Sequence, residues 1–133
     1  FDRHIEDDLL PVLKQEGKAA VCFSPLAQGL LTDRYLNGIP ADSRAAKSTS
    51  PFLHEDQVEQ TIGKVKQLNE IAASRHQTLA AMAVAWNLRE PEIACVLVGA
   101  SRPSQLVDAV KTLNKLSFTP AELAAIDRVL AEK

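Results

Sequence analysis

The sequence predicts an α/β fold, and three features predict it. Two apolar runs without polar alternation, Ala19–Phe23 and Ile93–Val98, read as strands covered on both faces, as strands of parallel sheets are. Helical patterns separate the runs, which implies parallel pairing. Each run then empties into a loop of small, polar and cationic residues, the usual layout of an α/β ligand site. Two strands alone would show apolar edges to water, so the chain is expected to be the last part of a larger α/β barrel or sheet.

Taken in order, Asp7 is placed to cap a first helix running to about Glu16, with Ile5, Leu9, Val12 and Leu13 at helical spacing. Pro11 falls in its first turn, where a missing N–H does little harm, and Gly17 ends it. The first strand follows. From Ser24 to about His54 the glycines and prolines mark a long irregular loop, with a short helical turn between Leu30 and Tyr35. Val58, Ile62, Val65, Leu68 and Ile71 predict a helix from about His54 to Ser74, which Gly63 weakens without ending. Thr78 caps another helix, Leu79 to about Arg89, with Leu79, Met82, Ala83 and the core residue Trp86 on one face. Glu90-Pro91 stops it before the second strand. Pro103 suits the start of a helix carrying Leu106, Ala109, Val110 and Leu113 on its apolar face. Thr119-Pro120-Ala121-Glu122 is a capping box for a last helix that packs through Leu123, Ile126 and Leu130.

Composition narrows the function. The 133 residues are the length of one domain, and 46% hydrophobic with 24% charged is a globular balance. A formal charge of −2 supplies no cationic field for nucleic acid. No apolar run approaches the roughly 20 residues of a membrane span. The N-terminus is mixed and acidic, unlike a signal or transit peptide, and begins without Met, as a fragment would. Cys22 and Cys95 each sit inside an apolar run and read as two reduced core residues of a cytoplasmic protein. No C-x-x-C or H-E-x-x-H motif supports a metal site. His4, His54 and His76 lie in polar sequence surroundings that form no catalytic motif, and they read as surface residues.

The chemistry therefore rests on the two loops. Gly99 permits close backbone approach and Ser101 offers a hydroxyl. The following helix N-terminus presents free N–H groups to an anion. Arg34, Arg44 and Arg102 add fork-shaped donors suited to phosphate. Phe23 supplies a flat face, and the Ser24–Gln28 backbone can line a diphosphate. An aromatic platform with several phosphate donors suits a nucleotide.

Two motifs make this specific. Phe23-Ser24-Pro25-Leu26-Ala27-Gln28-Gly29-Leu30-Leu31-Thr32, continued by Tyr35–Pro40 and Asp42-Ser43-Arg44, resembles the seventh strand and following loop of aldo-keto reductases. Leu97-Val98-Gly99-Ala100-Ser101-Arg102 with Gln105-Leu106 is similar to the eighth strand and its cofactor loop. The resemblance covers nearly the whole chain. It is nearest the branch holding bacterial L-glyceraldehyde 3-phosphate reductases and β-subunits of voltage-gated potassium channels.

The resemblance implies the C-terminal portion of a (β/α)8 barrel, strands seven and eight with flanking helices, as residues 1–133 of one barrel domain. It also implies NADP(H) as cofactor. Phe23 would lie beside the nicotinamide ring, and Ser24, Pro25, Leu26, Ala27 and Gln28 along the diphosphate and its ribose. Arg34 and Arg44 belong to a loop folding over the cofactor. Gly99, Ser101, Arg102 and Gln105 match the segment holding the adenosine 2′-phosphate, and Asp108 falls near the adenine where Glu is usual. Ala109 stands in place of the usual Asn, and Asp33 where relatives often carry Gly. The family's Asp, Tyr, Lys and His tetrad lies on earlier strands, so no catalytic residue is expected here. The implied activity is reduction of small aldehydes or ketones, such as glyceraldehyde 3-phosphate or methylglyoxal. The alternative is a channel-regulatory or redox-sensing subunit that binds NADPH and turns over slowly. The implied partners are a carbonyl substrate and, at most, further copies of the chain, with neither nucleic acid nor membrane.

Overall fold

The computed structural model describes residues 3–47 and 51–131. Its order is α1 (His4–Asp7), α2 (Leu9–Glu16), β1 (Ala20–Phe23), α3 (Glu55–Ser74), α4 (Leu79–Leu88), β2 (Ile93–Leu97), α5 (Pro103–Lys111) and α6 (Pro120–Ala131). Short 3-10 turns occupy Ala27–Gly29, Asp33–Tyr35 and Thr112–Asn114. β1 and β2 pair in parallel, with Cys22 opposite Val96 and Phe23 opposite Leu97, after a register irregularity between Ala20 and Val21. The α/β expectation and the parallel pairing both hold.

Local signals place most boundaries. Gly17 adopts φ 60°, and its N–H closes on the Leu13 and Lys14 carbonyls to end α2. The Thr78 hydroxyl accepts the Ala81 N–H at 3.1 Å to open α4. At α6 the Thr119 N–H donates to Glu122 Oε2 at 2.7 Å, and the Glu122 N–H returns to Thr119 Oγ1 at 3.3 Å. The first helix departs from expectation: it breaks at Asp8, and Asp7 is the last residue of α1 instead of a cap.

The main core lies between α3, α4 and α6, from Val65, Leu68 and Ala72 through Leu79 and Met82 to Ile126 and Val129. Trp86 is half-buried at its margin, not enclosed. It meets Phe118 edge-on with centroids 5.5 Å apart, and the Arg89 and Arg3 guanidiniums lie 3.7 and 5.0 Å from its ring centroid. Both arginines bond Glu6, at 2.9 Å from Arg3 Nε and from Arg89 Nη2. Burial pushes the Glu6 carboxyl pKa up, but these hydrogen bonds outweigh it and hold the group below the usual carboxylate range.

A second cluster was not expected. The long loop after β1 is folded around its own core of Leu30, Tyr35 and Ala45, closed by Leu53 and by Val58 of α3. Ser43 is buried with it, its hydroxyl accepting the Ala46 N–H.

Three further expectations are corrected. The strands are not covered on both faces: Cys22 and Val96 are half-buried, while Val21, Cys95, Phe23 and Leu97 on the other face are exposed. Only two strands pair among the described residues, in the order β1-β2. Cys22 and Cys95 are consequently not both core residues. They are free thiols on opposite faces, and burial, then the neighbouring Cys95, raises the Cys22 pKa. The apolar stripe of α5 is likewise uncovered: Leu106 and Val110 are exposed, as is Leu113 in the 3-10 turn that follows. His4, His54 and His76 lie on the surface, as expected.

Candidate functional site

The parallel register decides how the two loops relate. Because Phe23 lies opposite Leu97, the loops that follow leave from one edge of the sheet. Phe23, which ends β1, is 78% exposed.

The backbone beyond it is strained. Ser24, Ala27 and Gln28 have φ of 54°, 46° and 60°, and Gly29 has 100°. Left-handed backbone at three non-glycine residues within five positions costs energy, and such strain collects at functional sites. The turn is held by the Ala27 N–H on the Ser24 carbonyl at 3.0 Å, and by the Gly29 and Leu31 N–H groups on the Leu26 carbonyl at 2.9 and 3.1 Å. Thr32 then donates its hydroxyl to the Gly29 carbonyl at 2.7 Å and accepts the Arg34 N–H at 3.1 Å. This opens the 3-10 turn that seats Tyr35 in the loop core.

Both loop arginines are engaged within the loop. Arg44 Nη1 donates to Gln28 Oε1. Arg34 Nη2 lies 3.0 Å from Asp42 Oδ2. The carboxylate beside Arg34 in sequence, Asp33, is not its partner. The sequence motif includes Asp42 but not its pairing with Arg34, because no periodic signal joins positions eight apart in a loop.

The second loop is arranged differently from expectation. The N–H groups of Ser101 and Arg102 are not free: both donate to Gln105 Oε1, at 2.8 and 3.1 Å. Gln105 therefore shapes the turn through its carboxamide and closes the start of α5. Ser101 and Arg102 are exposed, and a Cβ added at Gly99 would meet nothing within 4 Å. Asp108 is exposed and pairs with Lys111 at 3.3 Å. Among the described residues no hydrogen bond or ion pair joins residues 24–44 to residues 99–108.

A cavity of about 350 Å³ adjoins Phe23, Ser24 and Pro25, walled by Leu68, Met82 and Ile126 of the helical core. It takes no residue from the second loop, so the loops share an edge but not this cavity. No group of three or more His, Cys, Asp or Glu side chains among the described residues is arranged to hold a metal ion. No helix among them is long and apolar enough to cross a membrane.

A parallel pair thus delivers a strained, arginine-bearing loop and a glycine-serine turn at one edge, and this layout defines an α/β protein. Residues 1–131 match the aldo/keto reductase family model, and the chain belongs to that family. The L-glyceraldehyde 3-phosphate reductase of Escherichia coli strain K12 is 42% identical over 127 residues, 93% of this chain and 37% of that protein. A putative voltage-gated potassium channel subunit beta of Schizosaccharomyces pombe is 34% identical over 131 residues, 96% of this chain and 38% of that protein. Among solved structures, a glycerol dehydrogenase from Gluconobacter oxydans superposes with a TM-score of 0.78 at 28% identity, over 98% of this chain and 39% of its own. The chain thus spans about two fifths of the length of the relatives it matches.

Proposed function

We propose that this chain is the seventh- and eighth-strand portion of a (β/α)8 aldo-keto reductase, and that it holds NADPH for the reduction of small aldehydes. The observation that carries the reading is the Phe23–Leu97 pairing, which launches both loops from one edge. The cofactor supplies the hydride; these residues hold and orient it. Phe23 offers its exposed ring to the nicotinamide, and the strained Ser24–Gln28 turn, with Pro25, Leu26 and Ala27, follows the diphosphate. Arg34 and Arg44 provide charge above it. Ser101 and Arg102 take the 2′-phosphate, on a turn that Gln105 shapes and whose Gly99 leaves open space. Asp108 reaches toward the adenine. Glyceraldehyde 3-phosphate and methylglyoxal are the first substrates to test, and a cytoplasmic location belongs to the same reading.

The test is a fluorescence titration of the intact polypeptide carrying this sequence. NADPH is expected to bind more tightly than NADH, and Arg102→Ala to remove about tenfold of that preference, the value of one charge-assisted phosphate contact. Equal affinity for both cofactors in the wild type would take the role from Arg102. Arg44→Ala is expected to raise the NADPH Kd several-fold, mainly through faster release in stopped-flow. Unchanged release would count against a loop that retains the cofactor.

A second reading is favoured by the channel-subunit relative. In it the same loops bind NADPH but turnover is slow. Steady-state rates with excess aldehyde separate the two: hydride transfer on the scale of seconds or faster supports the enzyme, and persistent bound NADPH supports the sensor.

A further inference from the structure

We propose that Asp42 is a built-in competitor for Arg34, a carboxylate that a phosphate group of the dinucleotide must displace. This rests on the cofactor reading above and adds a regulatory contact to it. Asp42 Oδ2 lies 3.0 Å from Arg34 Nη2. Both backbones are fixed. Arg34 stands on the 3-10 turn capped by Thr32 and anchored by buried Tyr35. Asp42 precedes buried Ser43, whose N–H closes a turn on the Pro40 carbonyl at 2.9 Å. Side-chain rotation is therefore enough to break the contact.

Its exposure makes it breakable. The side chains are 43% and 83% exposed, and ion pairs of this kind are weak and screened by salt. A diphosphate carries more charge than one carboxylate and takes the guanidinium in a fork. Charge points the same way. Residues 24–44 hold Asp33, Arg34, Asp42 and Arg44, so the loop is formally neutral. Asp42 cancels attraction that the arginines would otherwise exert on an anion. The other arginine differs: Gln28, the acceptor for Arg44, is neutral and opposes an incoming phosphate with no charge.

The expected result for Asp42→Asn is an NADPH Kd lowered by about two- to fivefold at low salt, the range of one exposed ion pair. The gain should shrink as salt rises, and should vanish in an Arg34→Ala background. Titration calorimetry on the intact polypeptide reads all of these without turnover, and an unchanged urea midpoint shows that the fold is intact. A Kd that is unchanged or raised overturns the proposal, as does the same gain without Arg34. A wild type that binds no NADPH overturns the cofactor reading and this inference with it. Normal wild-type binding with an insensitive Asp42→Asn variant overturns the inference alone.

Discussion

Replacing Arg75 by alanine is expected to destabilise the protein by about 3 kcal/mol, as breaking a buried, hydrogen-bonded ion pair from one side does. Arg75 follows α3 and is 1% exposed. Its guanidinium meets Glu122 Oε2 in the first turn of α6, donates from Nη2 to the Ser117 carbonyl at 3.0 Å, and donates from Nε to Gln77 Oε1 at 3.0 Å. It also lies 3.8 Å from the Phe118 ring centroid. The Arg75 carbonyl in turn accepts Lys115 Nζ at 2.6 Å. One side chain thus fastens the end of α3 to the start of α6. Alanine would leave the Ser117 carbonyl and the Glu122 carboxylate short of a partner and open a void beside Phe118. Urea unfolding of the intact polypeptide checks this, and a loss below about 1 kcal/mol would show that water replaces the guanidinium at little cost.

The same pair has a pH signature. Burial pushes the Glu122 pKa up, but the Thr119 N–H and the Arg75 charge outweigh it, so the folded pKa lies below the ordinary carboxylate value. The stability from this contact is present above that ordinary value and is lost as pH falls through the folded pKa. The gap between wild type and Arg75→Ala should therefore narrow in acid below the ordinary carboxylate range.

Tyr35→Ala is expected to melt the loop before it melts the protein. The ring is 1% exposed and packs among Leu30, Ala45, Leu53 and Val58, with Cε2 at 3.7 Å from where a Gly29 Cβ would stand. Removing a buried aromatic ring costs about 3 kcal/mol. Here the cost falls on a satellite core that meets the α3–α4–α6 cluster through partly buried Ile62. Amide exchange should rise by about two orders of magnitude in residues 24–47 and little in α4, because local opening has its own free energy. On the cofactor reading, the NADPH Kd should rise at least about tenfold, since only the folded-loop fraction binds. Tyr35→Phe keeps the ring and should retain most of both. Uniform loss of protection across the chain would show that the loop has no separate stability.

These two sites differ in how far they could be read from the chain. The helices around Arg75 were legible: Thr78 and the Thr119–Glu122 box act within four residues, and their geometry follows from sequence spacing. The role of Arg75 was not, because the partners that tie it to α6, Ser117 and Glu122, lie 42 and 47 positions away. In the candidate site, the motifs nominated Phe23, Arg34 and Arg44, yet nothing local distinguishes Asp42 from Asp33 as the partner of Arg34. The break at Asp8 was missed for a related reason. The helical spacing of Ile5, Leu9 and Val12 runs straight through it, whereas Arg3 pairs with Asp127 of α6 and Glu6 with Arg89, just past α4.

By itself the sequence determined the element order, the parallel pairing and the family, because apolar period, caps and short motifs act over a few residues. Tertiary structure alone decided which faces are covered, that the long loop carries its own core, and which carboxylate meets which arginine. Those depend on segments far apart in the chain being brought together, and no local pattern encodes that distance.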